Sequence, residues 1–111
     1  MDKSQLLRGT LDAAVLAVTA EDDAYGYDVL RRLRAAGLIE VGEASVYGTL
    51  RRLYAAGALT SYMVPSEEGP ARRYYGITDR GRDQLAEART AWNEFSQALG
   101  ALLDDKVETR A

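Results

Sequence analysis

Six arginines, at positions 51, 52, 72, 73, 80 and 82, stand between residues 45 and 82 against Glu67, Glu68 and Asp79, a local net charge of +3. Residues 1–44 carry five basic and eight acidic side chains, and residues 83–111 carry three and six. The formal charge of -3 for the whole chain therefore hides a basic middle third. A guanidinium offers a planar fork of donors that fits a phosphate or the O6/N7 edge of guanine. Phosphate responds to the potential within about 8 Å, the Debye length at physiological salt, and not to the charge of the chain as a whole. The chemistry on offer is recognition of anions, and it lies in the middle of the sequence.

Other chemistries lack their residues. With no His and no Cys there is no Ser-His-Asp triad, no thiol nucleophile, no zinc site of the usual ligands and no disulfide framework. A chain of 111 residues without a phosphate-cradling glycine loop has room for one modest core. The expectation is a protein that is not an enzyme and uses neither cofactor nor metal. Met1-Asp2-Lys3-Ser4 does not open a signal peptide, and no apolar run approaches the ~18 residues of a membrane span. A cytoplasmic setting with no membrane partner is expected.

The elements that must position the arginines follow from periodicity and punctuation. A first helix is predicted from Ser4, its N-cap, to about Ala20, with Leu7, Leu11, Ala14, Val15 and Val18 in one stripe. Leu6, Ala13, Leu16 and Ala17 make its other sides apolar too, so a second subunit is expected against it. A second helix runs from about Tyr25 to Ala36 and a third from Glu43 to Ala56, each followed by a glycine (Gly37, Gly57) suited to a left-handed C′ position. Leu59–Val64 and Arg72–Ile77 read as two strands around a loose Pro/Gly-rich tip, residues 65–70. Thr78 caps a last helix from Asp79 to about Leu103.

Three helices and a hairpin form the order of a winged helix-turn-helix, a mainly α fold with a small β-hairpin, in which the third helix enters the major groove. On that helix Val46, Leu50 and Leu53 share one face, and Ala44, Gly48, Arg51 and Ala55 lie opposite, flanked by Ser45, Tyr47 and Arg52. Small residues let a helix approach the groove floor while arginine reads guanine or holds phosphate. The alternative for Arg51-Arg52 is a solvated helix face. At the hairpin Arg72 and Arg73 point to opposite faces, as do Tyr74 and Tyr75. The expected DNA contacts are Ser45, Tyr47, Gly48, Arg51, Arg52, Arg72, Arg73 and Tyr74.

The last helix adds a seam. Leu85, Ala88, Trp92, Phe95, Leu99 and Leu102 are spaced 3, 4, 3, 4, 3, an a/d heptad pattern longer than a small winged domain can cover. With Leu7 and Leu11 of the first helix they are the expected homodimer interface. Trp92, with Ala88, Leu11 and Val15, either fills that core or lines an apolar pocket for a planar aromatic effector. Residues 1–78 are thus assigned to a DNA-binding winged domain and 79–111 to a dimerisation helix and tail.

The sequence resembles the PadR family of bacterial transcriptional regulators. The matching residues are Leu7-Arg8-Gly9, Tyr25-Gly26-Tyr27, Glu43-Ala44-Ser45-Val46-Tyr47, Arg51-Arg52-Leu53, the run from Gly69 to Thr78 with Gly81, and Trp92. Gly48 and Met63 depart from it, as does Gly76 at a position that is often basic. The resemblance implies the short class with one C-terminal helix, a homodimeric repressor on a palindromic operator of double-stranded DNA, and a small aromatic or amphipathic effector. A winged-helix protein-interaction module without DNA binding is the competing reading, and a ligand-binding dimer with decayed DNA contacts is a third.

Overall fold

The structure, a computed structural model, describes residues 3–109, with the side chains of Ser4 and of residues 105–109 left aside. The first helix is not continuous as the periodicity predicts. It divides into α1 (Ser4–Leu7) and α2 (Leu11–Glu21). Gly9 lies between them at φ +89°, a left-handed conformation that no helix continues through. Thr10 Oγ1 donates to the carbonyls of Leu6 and Leu7, at 3.0 and 3.1 Å, and so serves the end of α1. Lys3 occupies the N-cap position expected of Ser4.

A two-residue strand β1 (Ala24–Tyr25) follows, then α3 (Gly26–Ala35) and α4 (Glu43–Ala55). Both helices end as the glycines foretell. Leu38 N–H reaches Leu33 O at 3.1 Å and Gly37 N–H reaches Arg34 O at 3.0 Å, with Gly37 at φ +112°. The same pair recurs as Ala58 to Leu53 and Gly57 to Tyr54, with Gly57 at φ +82°. These are Schellman motifs, which satisfy the last carbonyls of a helix.

β2 (Leu59–Ser66) and β3 (Gly69–Ile77) are longer than expected, and Ser66 pairs with Gly69. The tip is therefore a tight two-residue turn, Glu67-Glu68, and not a loose loop. Pro65, which has no N–H to give the ladder, falls at the register shift between Val64 and Ser66. β1 pairs antiparallel with β3 and completes a three-stranded sheet of order β1-β3-β2.

The core joins Val15 and Leu16 of α2, Val29, Leu30 and Leu33 of α3, Val46, Leu50 and Leu53 of α4, and Leu59 and Tyr75 of the sheet. α2 stands at its centre, packed against α3, α4, α5 (Asp79–Thr109) and β3. The chain's own elements thus cover much of α2, with Leu11, Ala13, Ala14 and Val18 half-buried and Ala17 exposed.

Thr78 caps α5 as foreseen: its Oγ1 accepts the Gly81 N–H at 3.1 Å and donates to Gly57 O at 2.7 Å. A Cβ at Gly81 would collide with the Ala58 carbonyl, so the first turn of α5 is seated directly on the end of α4. Leu85 still packs against the core. Beyond it the helix, 31 residues and so about 46 Å long, leaves the domain and gives the molecule its 60 Å axis. Among the described residues no helix is long and apolar enough to cross a membrane.

Candidate nucleic-acid interface

α4 forms because Val46, Leu50 and Leu53, joined by Thr49, give one face to the core. That orientation leaves Ala44, Ser45, Arg51, Arg52 and Ala55 exposed and Gly48 half-buried between them. A Cβ at Gly48 would meet only Arg51 Nη2, at 3.9 Å, so the helix surface there is flat and open. Arg51 is exposed and, among the described residues, forms no ion pair.

The two neighbouring arginines have different fates. Arg52 turns to the flank and closes on Asp12 of α2 with both ends of its fork, Nη1 to Oδ2 at 2.7 Å and Nη2 to Oδ1 at 3.1 Å. Nη2 also lies 3.4 Å from Thr49 Oγ1. The hydrogen bond to Asp12, and then its charge, raise the guanidinium pKa above an already high value. Tyr47 departs from the expectation as well. Its ring is half-buried where a Cβ at Gly26 would collide with it, so the ring packs the junction of α3 and α4.

Ser45, Gly48 and Arg52 border a groove of about 560 Å³ together with Leu7, Arg8, Leu11, Asp12 and Glu40. Glu40 Oε2 is buried there without a hydrogen-bond partner among the described residues. Leu7 and Leu11, expected at a dimer interface, thus lie beside α4 and against their own core.

The sheet separates the hairpin arginines, as strand alternation requires. Arg73 Nη1 donates to Ser61 Oγ at 2.9 Å on the face shared with buried Tyr75. Arg72 lies on the other face, 4.6 Å above the Tyr25 ring, a cation–π contact. Below it runs a row of rings, Tyr25 against Tyr74 at 5.4 Å and Tyr74 against Tyr62 at 5.9 Å. Tyr62 ends the row by donating its hydroxyl to Asp23 Oδ2 at 2.5 Å. That hydrogen bond to a carboxylate pushes the phenol up to about 12. The Asp23 carboxylate occupies the space above Gly76, where a Cβ would come within 2.7 Å of Oδ1. Glycine at this often basic position is therefore matched to its neighbour.

Sequence reasoning missed Asp12, Asp23, Tyr25 and Tyr62. For Tyr62 a signal existed: with a two-residue tip at Glu67-Glu68 and one bulge, the register opposite Tyr74 follows. For Asp12, 40 residues from Arg52, no local pattern existed.

On α5 the seam is open. Trp92 is 53 % exposed, Phe95 60 %, Leu99 38 % and Leu102 60 %, and the Trp92 and Phe95 rings lie 6.3 Å apart. Ala88 is half-buried. Val15, by contrast, is 0 % exposed within the core. It lines no surface that Trp92 shares, which corrects its assignment to a ligand pocket.

A three-helix core, a three-stranded wing and a helix presenting small residues and arginine define a winged helix-turn-helix protein. The chain belongs to the transcriptional regulator PadR-like family, which residues 15–87 match. A PadR-like transcriptional regulator from Bacillus cereus is 34% identical with a TM-score of 0.80, over 90% of this chain and 97% of that one. A PadR family regulator from Eggerthella lenta is 32% identical with a TM-score of 0.80, over 89% and 86%. Bacillus subtilis PadR, solved in complex with operator DNA, is 20% identical with a TM-score of 0.64, over 70% of this chain and 45% of that one, a likeness of fold.

Proposed function

We propose that the protein is a homodimeric, DNA-binding transcriptional repressor of the cytoplasm. The observation that carries the reading is Arg51, an exposed guanidinium without a partner among the described residues, on the outer face of α4 among Ala44, Gly48 and Ala55. A helix so surfaced fits the major groove, where Arg51 pairs with guanine or holds phosphate. Arg72 and Arg73 of the wing supply contacts on either side of the hairpin, and Ser45 lies at the α4 flank.

In this reading residues 1–78 bind DNA and 79–111 hold two protomers together through Ala88, Trp92, Phe95, Leu99 and Leu102. The open apolar seam on a helix that outruns its domain supports that division. A twofold dimer presents two α4 helices to a palindrome whose half-sites lie about 34–36 Å apart. The exposed Trp92–Phe95 pair is the favoured seat of a planar aromatic or amphipathic effector, which would act by changing the angle between the subunits. Selection from a random pool of duplex DNA tests the reading. The expected outcome is enrichment of an inverted repeat with half-sites about one DNA turn, roughly 10 bp, apart. A pool that stays random after repeated selection refutes it.

A further inference from the structure

Arg51 and Arg52 are adjacent in the sequence, yet the fold treats them oppositely. Arg51 is unengaged among the described residues, whereas both terminal nitrogens of Arg52 are held by one carboxylate from a different helix. That carboxylate is a stand-in for phosphate. It meets the guanidinium fork end-on, in the two-point manner in which a DNA phosphate would.

Burial does not force the pairing, since the two side chains are 60% and 37% exposed. The groove of about 560 Å³ alongside gives Arg52 room to turn, and Ser45 and Gly48 of the outer α4 face line the same groove. The other charged groups there are Arg8, which is exposed and makes no ion pair among the described residues, and Glu40. Neither is paired with Arg52.

We infer that Asp12 limits affinity for duplex DNA by withholding Arg52 from phosphate. This rests on the DNA-binding reading above and adds a control to it. Each phosphate neutralised strengthens binding to every sequence alike, whereas base contacts strengthen binding to the operator alone. Filling the Arg52 fork with a carboxylate removes one sequence-blind contact per protomer and leaves Arg51 free. Asp12 also sets a negative charge beside the docking face, which weakens phosphate approach for all sequences. The consequence is weaker binding to every duplex, operator and random sequence alike, with the ratio between them left to the base contacts.

Random-sequence duplex DNA is the probe, because it reports the sequence-blind component and requires no known operator. The full chain is titrated across about 50 to 200 mM salt, and the slope of log K against log salt is read. Asp12→Asn should tighten binding severalfold and steepen the slope by about 0.9 for each engaged protomer. The double variant Asp12→Asn/Arg52→Ala should return the slope to the native value, which separates release of Arg52 from mere loss of a negative charge. Arg52→Ala in the native background should leave the slope unchanged. An unchanged slope in Asp12→Asn overturns the inference, as does a slope flattened by Arg52→Ala alone. If Asp12→Asn fails to fold, the Arg52→Ala result decides by itself. A native protein that binds no duplex DNA removes the DNA-binding reading and this inference with it, whereas native binding with these slopes absent removes the inference alone.

Discussion

Replacing Phe95 with Asp should dissociate the proposed homodimer without unfolding the protomer. Phe95 is 60 % exposed in the single chain, so its own domain does not depend on it. With about 200 Å² for a large aromatic side chain, some 120 Å² of Phe95 lies open in each protomer. Two copies offer roughly 240 Å², which at ~25 cal/mol per Å² is about 6 kcal/mol of gross burial. Ordering and imperfect packing discount that figure, and half of it, about 3 kcal/mol, corresponds to roughly a 100-fold weaker dimer. Two carboxylates facing each other across the axis add to the loss. Trp92, Phe95, Leu99, Leu102 and Leu103 together leave about 500 Å² open, near the upper end for an apolar patch on a monomer. A symmetric pair would cover about 1,000 Å², the lower limit for a stable interface. Sedimentation equilibrium reads the association and circular dichroism the helix content. A native chain that is monomeric throughout the micromolar range refutes the reasoning, as does a Phe95→Asp chain that remains a dimer.

Other outcomes follow from the same geometry. Arg51→Ala should lower operator affinity by about 1–3 kcal/mol and relax preference at one base pair per half-site, read by competition with operator variants; unchanged preference removes Arg51 from the groove floor. Tyr62 keeps its proton in the folded state up to about pH 12, whereas in the unfolded chain it loses it near 10. Its bond to Asp23 therefore stabilises the fold fully below about pH 10 and ceases to do so as pH rises through its folded pKa. The melting-temperature gap between the native chain and Tyr62→Phe should close over that window, and a constant gap contradicts the assignment. Planar aromatic cations should quench the fluorescence of the single tryptophan saturably, and Trp92→Ala should lose that binding while keeping operator affinity; absence of quenching across a broad panel removes the effector site.

Elements set by local rules were legible in the residues. Gly37 and Gly57 mark their helix ends and Thr78 the start of α5, because capping depends on a few neighbouring atoms. The inward face of α4 follows from the spacing of Val46, Leu50 and Leu53. What escaped depends on distant chain. Gly9 falls inside an apolar stripe that reads as one helix, and its positive φ divides that stripe in two. Strand β1 has two residues and no periodicity, and exists because β3 offers it an edge. Which elements pack on α2 was hidden likewise, because nothing in its own sequence says that α3, α4, α5 and β3 meet it. The candidate site divides in the same way. Arg51 was legible from the helical wheel, but the capture of Arg52 by Asp12 and of Tyr47 by Gly26 requires the packed helices.

One titration tests operator recognition most directly. Duplex DNA from the region upstream of the protein's own gene, labelled and followed by fluorescence anisotropy, is compared with a shuffled duplex of equal length at several salt concentrations. Binding to the upstream duplex should be saturable, at least ~10³-fold tighter than to the shuffled one, and should weaken steeply as salt rises. Equal affinity for the two duplexes, or binding indifferent to salt, would contradict operator recognition.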